Sequence, residues 1–217
     1  MRSFPENTDI VVDLAYDNPN AFVSGGADIT DPRYVRVRMQ HSLMELPKND
    51  FKPRRDDPRV GYFGQQVTDQ TSISATPFKD HINRWNLVKK DPTAALSEPV
   101  TPIVFWIENT TPYEYRQTIV DAGLKWNQAF EKAGFRNAIM AKKAPSWSED
   151  STWSLDDARN SAIVYKPSDI ANASGPSISD PRSGEIMESH INWYHNVMTL
   201  LRDWYFIQTS AVDPRAR

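Results

Sequence analysis

The chain has 217 residues, of which 39% are hydrophobic, and its aromatic residues include 7 Trp, 9 Phe and 8 Tyr. This apolar content is sufficient for a folded core in one or two domains and argues against intrinsic disorder. The net charge of −3 disfavours nucleic-acid binding, which ordinarily requires a basic excess, and the absence of cysteine excludes disulfides, thiolate catalysis and cysteine-ligated zinc.

The ends of the sequence and its apolar runs bear on membrane insertion and export. No run of about 18 apolar residues is present, so we expect no membrane span. The start, Met1 to Asn7, lacks the apolar core of a signal peptide. We expect both ends to be places where a longer chain has been cut.

The N-terminal region, residues 1–98, is predicted to be rich in β structure. Apolar residues recur at every second position from Ile10 to Tyr16, and again from Val35 to Leu43 with His41 among them, which indicates two half-buried strands. Gly25 and Gly26 favour a turn between these strands. A proline-rich connector ends this region, so that residues 99–217 form the second domain.

The second domain is predicted to alternate strands and helices. Ile103 to Ile107 is a continuous apolar run, which is typical of a strand that is buried on both faces. A helix of about 22 residues follows. Its predicted N-cap is Thr111, with Pro112 as the first helical residue and Glu114 completing a capping box. Gly134 is its predicted C′ residue.

Further strands are predicted at residues 138–140, 162–165 and 185–193, and a second helix at residues 196–206. The order strand, helix, strand predicts a right-handed βαβ unit. The fold class is therefore predicted to be α+β or α/β, with the β-rich part at the N-terminus.

His190 and His195 are the nearest approach to a metal-binding pair. Their spacing of five places them on opposite faces of a strand, and about 140° apart on a helix, so neither geometry brings both to one ion. We expect one packed and one exposed histidine. Glu185 and Glu188 could suggest the carboxylate pair of a glycosidase, but their odd spacing separates them on a strand, and we expect both to be solvated.

Sequence motifs of hydrolases and nucleotide-binding proteins are absent, since the chain contains no HExxH, GxSxG or Walker loop. Trp147 and Trp153, in a long polar loop, could stack on sugars, although loop tryptophans more often pack against the core. The residues alone predict a folded protein without a visible active site.

Six segments follow one another in an order that carries a resemblance. They are Asp56–Phe63 (DDPRVGYF), Ile82–Trp85 (INRW), Lys89–Pro92 (KKDP), Leu96–Val100 (LSEPV), Trp126–Phe135 (WNQAFEKAGF) and Ser179–Ile186 (SDPRSGEI). Together they resemble a family of large bacterial zinc-dependent metallopeptidases, which are metzincin-like enzymes flanked by domains of unknown function. The resemblance covers the chain from about Phe51 to Arg217.

The resemblance implies that residues 99–217 form the upper part of a metzincin-like mixed β-sheet domain with one long helix. The family's zinc helix carries HExxHxxGxxH, in which two histidines one turn apart bind zinc and the glutamate activates water. That helix is expected beyond Arg217, so no catalytic or metal-binding residue is transferred to this chain. Zinc is implied for the full-length parent, and we expect this chain alone to be inactive.

The resemblance also implies a substrate-binding strand. In metzincin-like enzymes an edge strand pairs with the extended substrate by β-augmentation. By order in the chain, that strand is the segment of Gly175, Pro176, Ser177, Ile178 and Ser179, for which an ordinary edge strand is the alternative. The implied partners are a peptide or protein substrate and the remainder of the catalytic domain. The family is periplasmic or at the cell surface, so we expect the parent to be exported.

A second hypothesis is a non-enzymatic extracellular module that binds glycan or protein through its aromatic loops. A coding sequence that continues after Arg217 into HExxH would favour the peptidase, and a stop codon there would favour the module. A chain without its zinc helix should expose apolar surface, and we expect such a patch near Ile103–Ile107 and Val197–Phe206.

Overall fold

The structure, a computed structural model, describes residues 1–20, 29 and 31–216. It divides into two compact units, which are Met1–Leu46 with Asp156–Ala158, and Pro47–Leu155 with Arg159–Arg217. Residues 47–98 group with the second unit, so the boundary predicted after residue 98 falls inside that unit. The turn predicted at Gly25 and Gly26 lies outside the described residues.

The first unit contains an antiparallel three-stranded sheet in the order β1-β2-β3. Its strands are β1 (Arg2–Ser3), β2 (Asn7–Asp17) and β3 (Tyr34–Met44). Both predicted strands are thereby confirmed. Ile10 lies opposite His41, and Leu14 lies opposite Val37, so the apolar alternations of β2 and β3 fall on one face of the sheet.

Most of this apolar face is exposed, so the prediction of half-burial is wrong at several positions. Tyr16 is 58% exposed and Leu43 is 61% exposed. The buried residues of β2 are polar instead, and the carboxylate of Asp9 accepts hydrogen bonds from the side chains of Asn7, Gln40 and Ser42. Alternation predicts which residues share a face, but it does not reveal what packs against that face.

The second unit contains a two-stranded sheet, a six-stranded sheet and, among the described residues, three helices. In chain order its elements are β4 (Gly64–Gln65), β5 (His81–Ile82), β6 (Ile103–Ile107), α1 (Tyr113–Leu124), α2 (Asn127–Lys132), β7 (Ile139–Lys143), β8 (Ala162–Lys166), β9 (Ala173–Ser174), β10 (Ser177–Ser179), β11 (Ile186–Tyr194) and α3 (Val197–Thr209).

The six-stranded sheet is mixed, with the order β10-β11-β8-β6-β7, and β9 also pairs with β11. Strands β6, β7, β8 and β11 run parallel to one another, whereas β9 and β10 are antiparallel to β11. The strand order and the three helices confirm the predicted mixed α and β class.

The core of the second unit is built on β6, which lies between β7 and β8. Ile103, Phe105 and Ile107 are 5%, 8% and 1% exposed, while Val104 and Trp106 on the other face are half-buried. The predicted strand is therefore confirmed, with one face more deeply buried than the other.

The single helix of about 22 residues that we predicted is wrong, because the structure contains α1 and α2 instead. Gly123, a poor helix former, lets α1 lie close to β7, since a Cβ there would be 3.2 Å from the Cβ of Ala141. Asn127 then holds α2 through side-chain hydrogen bonds to the N–H and C=O of Ile139, at 3.1 and 3.0 Å. Both helices are thus held against β7 on either side of Lys125 and Trp126.

The predicted caps are confirmed at one end only. Pro112, with ψ of 138°, is the extended N-cap of α1 and makes no side-chain capping bond, so the helix begins after it. The roles predicted for Thr111, Pro112 and Glu114 are therefore wrong. Gly134 follows the C-cap residue of α2 with φ of +88°, so its predicted C′ role is confirmed.

Candidate functional site

The predicted substrate-binding segment lies at one edge of the six-stranded sheet. Ser177, Ile178 and Ser179 form β10, which pairs with β11 and with no second strand in the part of the chain that the structure describes. Gly175 and Pro176 connect it to β9. The outer side of β10 is thus not paired with another strand of the described residues, and its contact with a substrate stays a prediction.

The inner side of β10 is attached firmly to β11. Ile178 lies opposite Glu188, and a register shift follows before Ser179. The Ser189 hydroxyl donates to the Pro176 carbonyl oxygen at 3.0 Å. The side chain of Ile178 is 45% exposed. The segment therefore offers an open backbone edge together with one exposed apolar side chain.

A tight turn, residues 180–184, joins β10 to β11. The Gly184 N–H donates to the Asp180 carbonyl oxygen at 2.8 Å, and Gly184 has a left-handed φ of +76°. The buried Asp180 carboxylate binds the Arg182 guanidinium at 2.6 Å, and this bond lowers the pKa of Asp180. Arg182 also donates to the Pro47 carbonyl oxygen at 2.9 Å, which ties the turn to a distant segment.

Glu185 and Glu188 are both buried, so our prediction of two solvated carboxylates is wrong. The Glu185 carboxylate accepts hydrogen bonds at 2.9 Å from the side-chain amides of Asn49 and Asn86, which replace water. Glu188 binds His190 instead, at 2.9 Å. The two carboxylates have separate partners and do not form a glycosidase pair.

His190 and His195 also have separate partners. The bond to Glu188 raises the pKa of His190, whose Nε2 lies 3.2 Å from the Asn160 carbonyl oxygen. Nδ1 of His195 lies 2.6 Å from the Tyr165 hydroxyl. Among residues 1–20, 29 and 31–216, no group of three or more His, Asp or Glu side chains is placed to hold a metal ion. The two histidines therefore do not converge on one ion.

An open cleft of about 650 Å³ lies beside the turn. Its lining comes from residues 47–51, from Pro53 and from Asp180, Arg182 and Ser183, so it begins directly after β10. The ring of Phe51, on one wall, stacks with the guanidinium of Arg84, whose Cζ is 4.0 Å from the ring centroid.

The turn at Asp180 is one of four Asp-Pro-Arg turns, a recurrence that we did not predict. They begin at Asp31, Asp57, Asp180 and Asp213. In each, the arginine binds the aspartate carboxylate, and the next residue donates its N–H to the aspartate carbonyl oxygen. Asp and Pro at the first two turn positions are a signal for this turn. The Asp180 side chain is 3% exposed, against 18% to 39% for the other three.

The aromatic loop at residues 145–160 holds one exposed and one packed tryptophan. Trp147 is 79% exposed. Trp153 packs edge-on against Trp106 of β6, with ring centroids 6.2 Å apart, so it attaches the loop to the sheet. Only Trp147 is therefore open for stacking among the two candidates.

Helix α3 exposes a set of large apolar side chains. They are Leu201, Trp204, Tyr205, Phe206 and Ile207. The exposure that we predicted for apolar side chains of this segment is found, whereas the patch predicted to include Ile103–Ile107 is wrong, because that strand forms the core. None of the helices in the described ranges is long and apolar enough to cross a membrane.

Comparison with known proteins adds one similarity. Residues 1–90 match a family described as a domain of unknown function, DUF5117. No curated protein and no solved structure matches the chain. The match covers less than half of the 217 residues and carries no activity, but it agrees with our expectation that a domain of unknown function is present.

Proposed function

We propose that this chain is part of an exported zinc-dependent metallopeptidase, in which β10 pairs with an extended peptide substrate. The six collinear segments that resemble the family support this proposal. One observation carries it: Ser177–Ser179, within the segment expected to bind substrate, is the antiparallel edge strand of the mixed sheet.

The open side of β10 suits a peptide for a physical reason. An edge strand carries unpaired N–H and C=O groups, and an extended peptide satisfies them by becoming the next strand. The exposed Ile178 side chain adds an apolar contact on one face. Since β11 holds the other side, peptide binding requires no rearrangement of the sheet.

The residues described here hold a substrate but do not supply the zinc chemistry. In the parent, zinc would activate the water that attacks the peptide bond, and its ligands would lie on the family's HExxHxxGxxH helix. We assign no step of hydrolysis to this chain and expect it to be inactive alone. The exposed side chains of α3 would be covered by the remainder of the catalytic domain.

Peptide pairing can be tested with short fluorescein-labelled peptides rich in Val, Thr and Tyr, measured by fluorescence anisotropy. Two versions of the best peptide are then compared, one with its odd-numbered backbone nitrogens methylated and one with its even-numbered nitrogens methylated. One version should lose binding and the other should keep it, because a strand pairs through alternate residues. Equal affinities of the two methylated peptides would contradict β-augmentation.

A matched pair of variants locates the peptide. Ile178→Asp should weaken binding, since it places a charge on the edge strand, while Ile170→Asp changes a similarly exposed isoleucine outside any strand and should leave binding unchanged. Equal affinities of the two variants would place the peptide elsewhere.

A non-enzymatic module that binds glycan or protein is the second candidate, and the exposure of Trp147 favours it. Trp147→Ala should then abolish the tryptophan fluorescence change caused by soluble oligosaccharides. If the coding sequence continues into HExxH and Trp147→Ala does not alter the fluorescence change, the peptidase is favoured over the binding module.

A further inference from the structure

The cleft beside the turn contains an arginine that is held in place by the protein. Nε and Nη2 of Arg182 donate to the Asp180 carboxylate at 3.0 and 2.6 Å, and Nη2 also donates to the Pro47 carbonyl oxygen at 2.9 Å. Nη1 makes no hydrogen bond within the described ranges, and the side chain is 58% exposed. A guanidinium already fixed at several points loses little conformational entropy when its remaining donors bind an acceptor.

Ser183 contributes a second donor to the same wall of the cleft. Its oxygen accepts the Glu185 N–H at 3.2 Å, and its hydroxyl hydrogen has no acceptor among the residues that the structure describes. Phe51 and Pro47 also line the cleft and provide apolar surface for methylene groups. The cleft thus combines fixed donors with an apolar wall.

We propose that this cleft binds the carboxylate side chain of a glutamate or aspartate in a peptide that lies along β10. The cleft begins directly after Ser179, and at about 3.3 Å per residue an extended peptide reaches it within one or two positions. A carboxylate gains charge-assisted hydrogen bonds from a fixed guanidinium. That the ligand is a peptide rests on the function proposed above, whereas the preference for a carboxylate rests on the cleft.

The two carboxylates that line the cleft, those of Asp50 and Asp180, do not make it a cation site. Asp180 directs its carboxylate to Arg182 and is 3% exposed, so it has no free acceptor to offer. Asp50 is the remaining carboxylate of the lining, and it makes no hydrogen bond in the described part of the chain. Lys48 and Arg182 line the same cleft, so the lining carries as many positive as negative side chains, and the charge of Asp50 reduces the affinity for an anion.

Two small probes of equal shape test the preference in the intact chain. They are N-acetylglutamate N-methylamide and the corresponding glutamine derivative, titrated while the backbone amide signals of Asn49 and Ser183 are followed by NMR. The glutamate probe should shift these signals saturably and bind about tenfold more tightly than the glutamine probe. Equal affinities for the two probes overturn the proposal.

Three variants identify the groups responsible. Arg182→Gln should remove the preference for glutamate, and Arg59→Gln, in an Asp-Pro-Arg turn that does not line the cleft, should preserve it. Asp50→Asn should strengthen binding about two- to fivefold, because it removes a like charge and disturbs no hydrogen bond of the described residues. Arg182→Gln could loosen the turn, so Asp50→Asn provides an independent test. Weaker binding of the glutamate probe by Asp50→Asn overturns the proposal.

The same peptides distinguish this inference from the proposed function. Peptides that bind along β10 with no preference for Glu over Gln at any position would remove the cleft assignment and leave the proposed function standing. Binding of the glutamate probe without binding of any peptide would remove the proposed function and leave the preference of the cleft for a carboxylate standing.

Discussion

Gly184 lies so close to Ile82 that a Cβ on Gly184 would be 2.4 Å from the Ile82 carbonyl oxygen. Its φ of +76° is also in the left-handed region. The Arg84 N–H donates to the Gly184 carbonyl oxygen at 3.0 Å, which completes the contact. The turn that ends the edge strand is therefore held against β5, and this close approach requires a glycine.

Gly184→Ala should destabilise the chain by about 2 kcal/mol or more, since it adds left-handed strain to a clash with backbone. Urea unfolding followed by tryptophan fluorescence measures this loss. Gly61→Ala is the control, because nothing lies within 4 Å of a Cβ at Gly61. Equal stability of the two variants would show that the turn is not pressed against β5.

Glu185→Ala should cost roughly 1–3 kcal/mol, because it removes a buried carboxylate that accepts hydrogen bonds from the amides of Asn49 and Asn86. Glu185→Gln should cost less, since its amide oxygen still accepts one of these bonds. Glu131→Gln, at an exposed position of α2, should be nearly neutral. Chemical denaturation of the three variants gives the ranking, and a neutral Glu185→Ala would contradict the network.

In this chain the spacing of apolar residues predicts the strands well, but it predicts their burial less well. The apolar run at Ile103–Ile107 and the alternation in β2 and β3 each correspond to a strand, because side-chain period follows backbone geometry. The exposed face of the β2–β3 hairpin was misjudged, since alternation does not show whether a second layer exists. The bonds from the Asn127 side chain to Ile139 of β7 accompany the break between α1 and α2, and helical periodicity does not contain them.

Some features of the candidate site could likewise be expected from the sequence, and others could not. The edge position of Ser177–Ser179 agrees with what the family resemblance implies, and Asp-Pro at residues 180–181 is a turn signal. The burial of Glu185 could not be predicted, because its partners Asn49 and Asn86 lie 136 and 99 residues away in sequence. Contacts over such separations arise only from the folded topology.

His190 should make stability depend on pH around neutrality. Its pKa is raised above 6.5 by Glu188, so its stabilising contribution is complete below pH 6.5 and is lost as pH rises through the higher folded-state pKa. Burial lowers the pKa of His81 and acts in the opposite direction. The difference between wild type and His190→Gln isolates His190, and urea unfolding should show a larger difference near about pH 6 than near about pH 8. If the difference in unfolding free energy between wild type and His190→Gln does not change with pH, His190 does not control the pH dependence of stability.

Asp180 and Asp57 provide a comparison of one turn in two environments. Arginine lowers the pKa of both carboxylates below 3.8, so their stabilising contributions are present above pH 3.8 and are lost as pH falls through the lower folded-state values. Asp180→Asn should destabilise the chain more than Asp57→Asn at neutral pH, because the Asp180 side chain is buried and its arginine also binds Pro47. Acid titration followed by circular dichroism should show the gap between wild type and Asp180→Asn narrowing below pH 3.8. Equal effects of the two variants would mean that burial and the bond to Pro47 add nothing to this turn.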